Sequence, residues 1–301
     1  MIAPSLTRED REKQSAALTS LLAAIGLTAF KSIIGIMTGS LGILAEAAHS
    51  GLDLIAAGMT LVAVRVSSRP PDRSHLYGHG KFENLSALGE TLLLLLTCVW
   101  VIWEAVRRLA SHRVDVEVTF WSFAVMATSI VVDFSRSRVL ARAAKRYNSQ
   151  ALEADALHFQ TDIWSSTVVI FGLLAVKVAG WSPALGFLRS GDAVAALGVS
   201  ALVIWVSVQL GTRTLDALTD RAPTGMEERI FGIVSAVPGV LDCHNLRIRM
   251  SGPHLFIDLH VIVDGEQTLT QAHRLTETIE VAIQDIAPGA DVTVHPEPFE
   301  H

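Results

Sequence analysis

An α-helical membrane protein with six spans, followed by a small cytosolic α+β domain, is the fold class predicted by three features of this sequence. Only 18% of its 301 residues are charged and half are hydrophobic, whereas an ordinary soluble domain carries about 25% charged residues. Long apolar stretches fill the chain to about residue 215, and the composition then turns soluble after Asp220, Arg221, Ala222 and Pro223. Within the apolar part, acids and histidines recur in one pattern on two segments, where isolated charges are rare.

The polar start, Met1 to Ser15, holds Arg8, Glu9, Asp10, Arg11, Glu12 and Lys13. It lacks the apolar stretch of a secretory signal and is expected to stay in the cytosol. A spanning helix needs roughly 20 mostly apolar residues. Six segments qualify: Ala16–Met37, Leu41–Val66, Leu85–Leu109, Val118–Leu140, Leu152–Ala179 and Gly191–Leu215. The second and fifth are expected to be the weakest by hydropathy, because acids and histidines sit inside them.

Positive residues set the orientation. Arg8, Arg11 and Lys13 precede the first span. Arg65, Arg69, Arg73 and Lys81 lie between the second and third, and Arg136, Arg138, Arg142, Lys145 and Arg146 between the fourth and fifth. The opposite side has only Arg107, Arg108, Arg113, Lys177 and Arg189. The excess predicts both termini in the cytoplasm, and an even span count agrees. The expected setting is a bacterial inner (cell) membrane.

The division falls at residues 1–221 for the membrane domain and 222–301 for the soluble one. In the latter, Gly225–Val237 reads as a helix, and Leu241–Met250 and Leu255–Val263 as strands joined at Ser251-Gly252-Pro253. Thr270–Ile286 reads as a second helix and Asp291–His295 as a last strand. The order α-β-β-α-β predicts helices on one face of a small sheet.

The net charge of −6 argues against a nucleic-acid partner. Two isolated cysteines, Cys98 and Cys243, form neither a disulfide framework nor a thiolate metal cluster. Any metal must be held by histidines and carboxylates.

The second span reads Glu46-Ala-Ala-His49-Ser-Gly-Leu-Asp53, and the fifth Asp155-Ala-Leu-His158-Phe-Gln-Thr-Asp162. Both run from an acid, three on to His and four on to Asp, which puts all three side chains on one helical face. His49, Asp53, His158 and Asp162 can then supply four ligands, the number that tetrahedral zinc takes. Glu46 and Asp155 lie about one turn away, suited to orienting ligands or relaying protons. A single charge costs roughly 2.5–3.5 kcal/mol at mid-bilayer and could be half of a structural ion pair. The same triplet twice argues for function.

Between the second and third spans, Asp72, His75 and His79 stand at metal-like spacing among Gly78 and Gly80. In the soluble domain, alternation puts His260 on the face of its strand away from Leu255, Ile257, Leu259 and Val261. It can meet His244, His273 and His295 only through the fold or a partner chain. Surface histidines are common, and a solvated loop and solvated domain histidines remain the plain alternatives.

These residues resemble the cation diffusion facilitator family of metal/proton antiporters, from about Lys31 to Glu297. The most specific pieces are His49-x-x-x-Asp53, His75-x-x-Gly78-His79-Gly80-Lys81 and Leu157-His158-x-x-x-Asp162. The resemblance implies six spans, a metallochaperone-like cytosolic domain and a homodimer. It implies a transport site at His49, Asp53, His158 and Asp162, and a loop site at Asp72, His75 and His79. It further implies a two-metal cluster at His244, His260, His273, His295 and Glu297, and a Lys81–Asp220 salt bridge between the two parts. Two departures stand out: Glu297 replaces a metal-bridging Asp, and His49 replaces the Asp of broad-specificity iron/zinc members.

Two imidazoles with two carboxylates suit Zn²⁺, with Cd²⁺, Co²⁺ or Ni²⁺ possible, whereas all-oxygen sites suit Mg²⁺ or Mn²⁺. The expected function is Zn²⁺ efflux by proton antiport, with Zn²⁺ as both substrate and structural ligand and no organic cofactor. Partners are divalent metal ions, protons, the lipid bilayer and a second copy of the chain. The alternatives are a broader Fe²⁺/Cd²⁺/Mn²⁺ transporter and a non-transporting membrane metal sensor or scaffold. An intramembrane zinc hydrolase is disfavoured, because no His-Glu-x-x-His motif is present.

Overall fold

A computed structural model describes residues 7–111, 120–179 and 191–299. Six long helices come first: α1 (Arg8–Thr38), α2 (Leu41–Ser67), α3 (Lys81–Ser111), α4 (Phe120–Tyr147), α5 (Gln150–Ala179) and α6 (Gly191–Leu218). The remainder is α7 (Met226–Ser235), β1 (Val240–Ser251), β2 (His254–Val263), α8 (Leu269–Ile286) and β3 (Asp291–Pro298). Val118, Thr119, Arg113 and Arg189, used above to place a span and its flanks, lie outside the described residues.

Several helices run past the apolar segments that predicted them. Thr7 and Asp10 form a reciprocal capping box, which starts α1 eight residues before Ala16. α4 continues through Arg138 and Arg142 to Lys145 and Arg146 in its last turn, where cations are favoured by the helix C-terminus. Among the described residues, four helices, α1, α2, α3 and α6, are long and apolar enough by composition to cross a membrane. Of the four, α2 is not the weakest despite its acids and histidine: its mean hydropathy of 1.5 exceeds the 1.2 of α6. Asp133 and Arg136 lie inside α4, buried and paired at 3.2 Å. Arg136 is therefore a bundle-interior residue, not part of the cytoplasmic flank to which its sequence position assigned it.

α5 is the central helix. Leu152, Ala156 and Phe159 pack with Ala16 and Ala17 of α1, Leu61 and Val64 of α2, and Leu140 and Ala144 of α4. Ala154 meets Ala87 of α3 and Leu210 of α6. Alanines at these contacts let helices approach closely where lipid gives no hydrophobic drive for association. Leu22, Ile33, Leu52, Leu96, Trp100 and Trp205 face outward, as lipid-facing side chains should.

The C-terminal elements form a three-stranded sheet, β1 antiparallel to β2 and β2 parallel to β3. Ile257, Leu259 and Val261 pack under Ile230 and Val234 of α7 and Ile279 and Ile283 of α8. Each fully buried Ile contributes roughly 1.5–3 kcal/mol by leaving water. The helices cover one face and leave the other open.

This domain docks on the bundle end that carries the α2–α3 loop. Lys81 Nζ lies 2.8 Å from Asp220 Oδ1 and 3.3 Å from the Leu218 carbonyl. The Gly252 N–H donates to Asn84 Oδ1 at 2.9 Å, and Asn84 Nδ2 donates to Gln150 Oε1 at 2.8 Å. Gly80 and Gly252 approach so closely that a Cβ on Gly80 would lie 2.1 Å from the Ser251 carbonyl oxygen. Arg249 lies 3.7 Å over the Tyr77 ring, whose edge meets Phe256 at 5.3 Å.

Candidate metal sites

The four residues of the membrane triplets converge. His158 Nε2 lies 3.0 Å from Asp53 Oδ1 and 3.6 Å from Asp162 Oδ2. His49 Nε2 lies 3.7 Å from Asp162 Oδ1 and 3.9 Å from Asp53 Oδ1. Each imidazole thus faces one carboxylate of its own helix and one of the other. Asp53 and His158 are buried, whereas His49 is a third exposed at its side chain. His158 Nδ1 and Asp162 Oδ2 have no hydrogen-bond partner. Such unpaired buried polar atoms are uncommon and invite a ligand, water or proton.

The two upstream acids are placed differently from each other. Glu46 pairs with Lys31 Nζ at 3.0 Å, and the same ammonium donates to Ser50 Oγ at 2.9 Å. Asp155 is fully buried and accepts from Ser20 Oγ at 3.3 Å, with Oδ1 unpaired. Arg136 donates to the same Ser20 oxygen from Nε and Nη2, both at 3.3 Å, and lies 3.4 Å over the Phe159 ring. It therefore touches the residue next to His158. Sequence reading gave no role to Lys31, Glu90 and Asp133 and placed Arg136 in a flank. Each is a charge inside an apolar helix, which was the signal available.

In the α2–α3 loop, Asp72 Oδ2 lies 3.3 Å from His79 Nε2, and Asp72 Oδ1 lies 3.4 Å from His75 Nδ1. The backbone N–H of His75 at 2.7 Å, and the hydroxyl and N–H of Ser74, all donate to Asp72 Oδ1. These donors, His75 first, hold the Asp72 carboxyl well below the usual carboxylate range. Gly78, at φ +76°, turns the chain so that His79 returns to the group.

In the C-terminal domain, cross-strand register makes the third group. His244 pairs with His260, His260 with His295, and Ile262 with Glu297. Glu297 lies 2.7 Å from His260 Nδ1, 3.3 Å from His244 Nε2 and 3.8 Å from His295 Nε2. The hydrogen bond from His260 keeps the Glu297 carboxyl below its ordinary range. β1 loses register between His244 and Arg247, with Asn245 at φ +52°. His273 does not join the group within one chain. It sits on α8, 3.5 Å from Glu277, and is mostly exposed.

Comparison with known proteins gives a consistent picture. The cation efflux transmembrane domain family matches residues 17–219, and the cytoplasmic domain of cation efflux proteins matches residues 222–299. The chain is 34% identical over 290 residues to the cation-efflux pump FieF of Yersinia enterocolitica, covering 95% of this chain and 92% of that one. It is 33% identical over 288 residues to FieF of Escherichia fergusonii, covering 92% of each. Among solved structures, the zinc form of CzrB is 33% identical over 26% of this chain and 92% of that one, with a TM-score of 0.25.

Proposed function

Because the chain belongs to the cation diffusion facilitator family, and is a cation-efflux transporter rather than an enzyme, we propose that it exports Zn²⁺ in exchange for protons. The observation that carries the zinc reading is the donor set and its spacing. A tetrahedron with zinc bonds of 2.0–2.1 Å has edges of about 3.3 Å. His49, Asp53 and Asp162 each offer a ligand atom within 4.8 Å of the others, and His158 lies 3.0 Å and 3.6 Å from the two carboxylates, so the donors gather near that edge length. Two imidazoles and two carboxylates also match zinc better than an all-oxygen ion.

In this reading His49, Asp53, His158 and Asp162 are the transport ligands. Asp72, His75 and His79 are a loop site. His244, His260, His295 and Glu297, with His273 from a partner, are a site at the interface of a homodimer. The protein lies in a bacterial inner membrane with both termini cytoplasmic, residues 1–221 carrying the cation and 222–301 the dimer contact. Glu46 and Asp155 support the transport ligands. Loading requires ionised carboxylates and imidazoles with free lone pairs, so metal entry displaces any protons held there.

Everted vesicles containing the protein should take up Zn²⁺ when their interior is acid. Uptake that persists undiminished in both Asp53→Ala and Asp162→Ala overturns the site assignment. Wild-type uptake indifferent to the pH gradient overturns the antiport.

A further inference from the structure

On the side of the transport site facing the docked domain, buried polar residues recur at intervals of seven. On α2 they are Asp53, Thr60 and Ser67; on α3, Glu83 and Glu90; on α1, Lys13 and Ser20. Seven residues are about two helical turns, roughly 10.5 Å, so each helix repeats its polar position at matching depths. The outer level contains Glu83, 0% exposed, 3.1 Å from Lys13 Nζ and 2.7 Å from Ser67 Oγ, with Ser149 on its other oxygen. Both oxygens of Glu83 are satisfied and its charge is matched by an ammonium.

Glu90 differs in both respects. It is also 0% exposed, and its Oε1 accepts from the hydroxyls of Thr60 and of Ser86, the latter at 3.3 Å. Its Oε2 has no partner, and no cation pairs with it among the described residues. Thr60 on α2 and Ser86 on its own helix hydrogen-bond to it, and the charged groups that act on it through space are Asp155 and His158 on α5. Helix α6, packed along α3, has its charged Arg213 and Asp216 about half exposed. Asp155 has an unpaired buried oxygen of its own. A buried carboxyl without a cation is balanced most simply by a proton.

We propose that Glu90 is a proton-carrying site of the exchange, lying between the four metal ligands and the cytosolic end of the bundle. Its carboxylate takes one proton arriving through the outward-open site and becomes a neutral acid. When the helices open toward the cytosol, the same O–H bond breaks and the proton passes to water as hydronium. The Lys13–Glu83 level beyond it, balanced within itself, acts as the closure on that side and carries no proton. The inference rests on the antiport reading above.

The test uses the full-length protein in proteoliposomes, with Zn²⁺ flux read by an internal dye, with and without a pH gradient. Zn²⁺ affinity is measured on the same samples by calorimetry. Glu90→Gln should bind Zn²⁺ within about threefold of wild type, yet its flux should lose acceleration by the gradient. Glu90→Asp should restore that acceleration. Thr60→Val, which removes a hydroxyl facing Glu90, should move the pH midpoint of flux and covers the case in which Glu90→Gln fails to fold. Glu90→Gln flux that follows the gradient as wild type does, or a Thr60→Val pH profile identical to wild type, overturns the proposal. If wild type itself ignores the gradient, the antiport reading fails first, so the two failures are distinguishable.

Discussion

The membrane site and the open face of the C-terminal sheet use the same chemistry, histidine with carboxylate, on opposite scaffolds. In the bundle, ligands come four residues apart on two helices, and His158 and Asp53 are almost sealed from solvent. In the sheet, His244, His260, His295 and Glu297 come from three strands at cross-strand register, and all stay about a third or more exposed. In the proposed reading the bundle site moves its ion through a bilayer, and the burial of Asp53 and His158 shields those ligands from competing water. The sheet site stays wet and sits where a second copy could complete it.

Removing a ligand should break this comparison most visibly. Asp162→Ala deletes one of four donors and removes one of the two carboxylates that His49 and His158 share. Zn²⁺ flux should fall by at least about 100-fold, more than the loss from disturbing a supporting residue. Glu297→Ala should abolish Zn²⁺ binding at the sheet site, read by calorimetry, while leaving a measurable flux. Equal loss of flux in both variants would mean that the two regions are one functional unit.

The junction between the regions ranks next. A methyl group on Gly80 would meet the Ser251 carbonyl at 2.1 Å, and that backbone has no flexible side-chain end to yield. Gly80→Ala should therefore push the β1–β2 turn off α3 and strain both the Lys81–Asp220 pair and the Gly252–Asn84 bond. Faster protease cleavage near residues 219–225 and a lower Tm are expected, with transport-site Zn²⁺ affinity changed little. An unchanged cleavage rate would show that the docking is not rigid.

What the sequence revealed follows the same division. The helical triplets were legible because spacings of three and four on one strand of text are spacings on one face in space. The strands, the turn at Ser251–Gly252 and the open face carrying His260 were legible from alternation. The gathering of His244, His260 and His295 around Glu297 was not, because cross-strand register has no local signature. Arg136 was misplaced because a basic residue near a span end reads as a flank until its buried partner, Asp133, is seen. Glu90 and Lys31 were passed over because each is one charge in an otherwise apolar run. Their partners, Thr60 and Glu46, lie on a different helix.

Acidity separates the regions more gently. Glu297 is held below the usual carboxylate range by His260, so it favours the folded domain while it is ionised. That contribution is present above the ordinary Glu value of about 4.3 and is lost as pH falls through the lower folded value. In EDTA, the stability difference between wild type and Glu297→Gln should hold steady from about pH 7 to 5 and shrink below about 4. A difference that grows on acidification would reverse the sign and rule out this hydrogen bond as its source.

The smallest effect concerns the thiol beneath the sheet site. Cys243 is buried, and burial, followed by Asp242, pushes its thiol up from the ordinary range. The thiol form therefore dominates at pH 7.5, where a free cysteine would be about one-tenth thiolate. Alkylation in the folded protein should be slower than in urea by at least about tenfold. Cys243 points into the α7–α8 core, whereas its neighbour His244 points to the open face. Adding Zn²⁺ should then alter the alkylation rate by less than about twofold. A larger protection would mean that metal on the open face tightens the core behind it, and the sheet would then have to be treated as a transmitter rather than a platform.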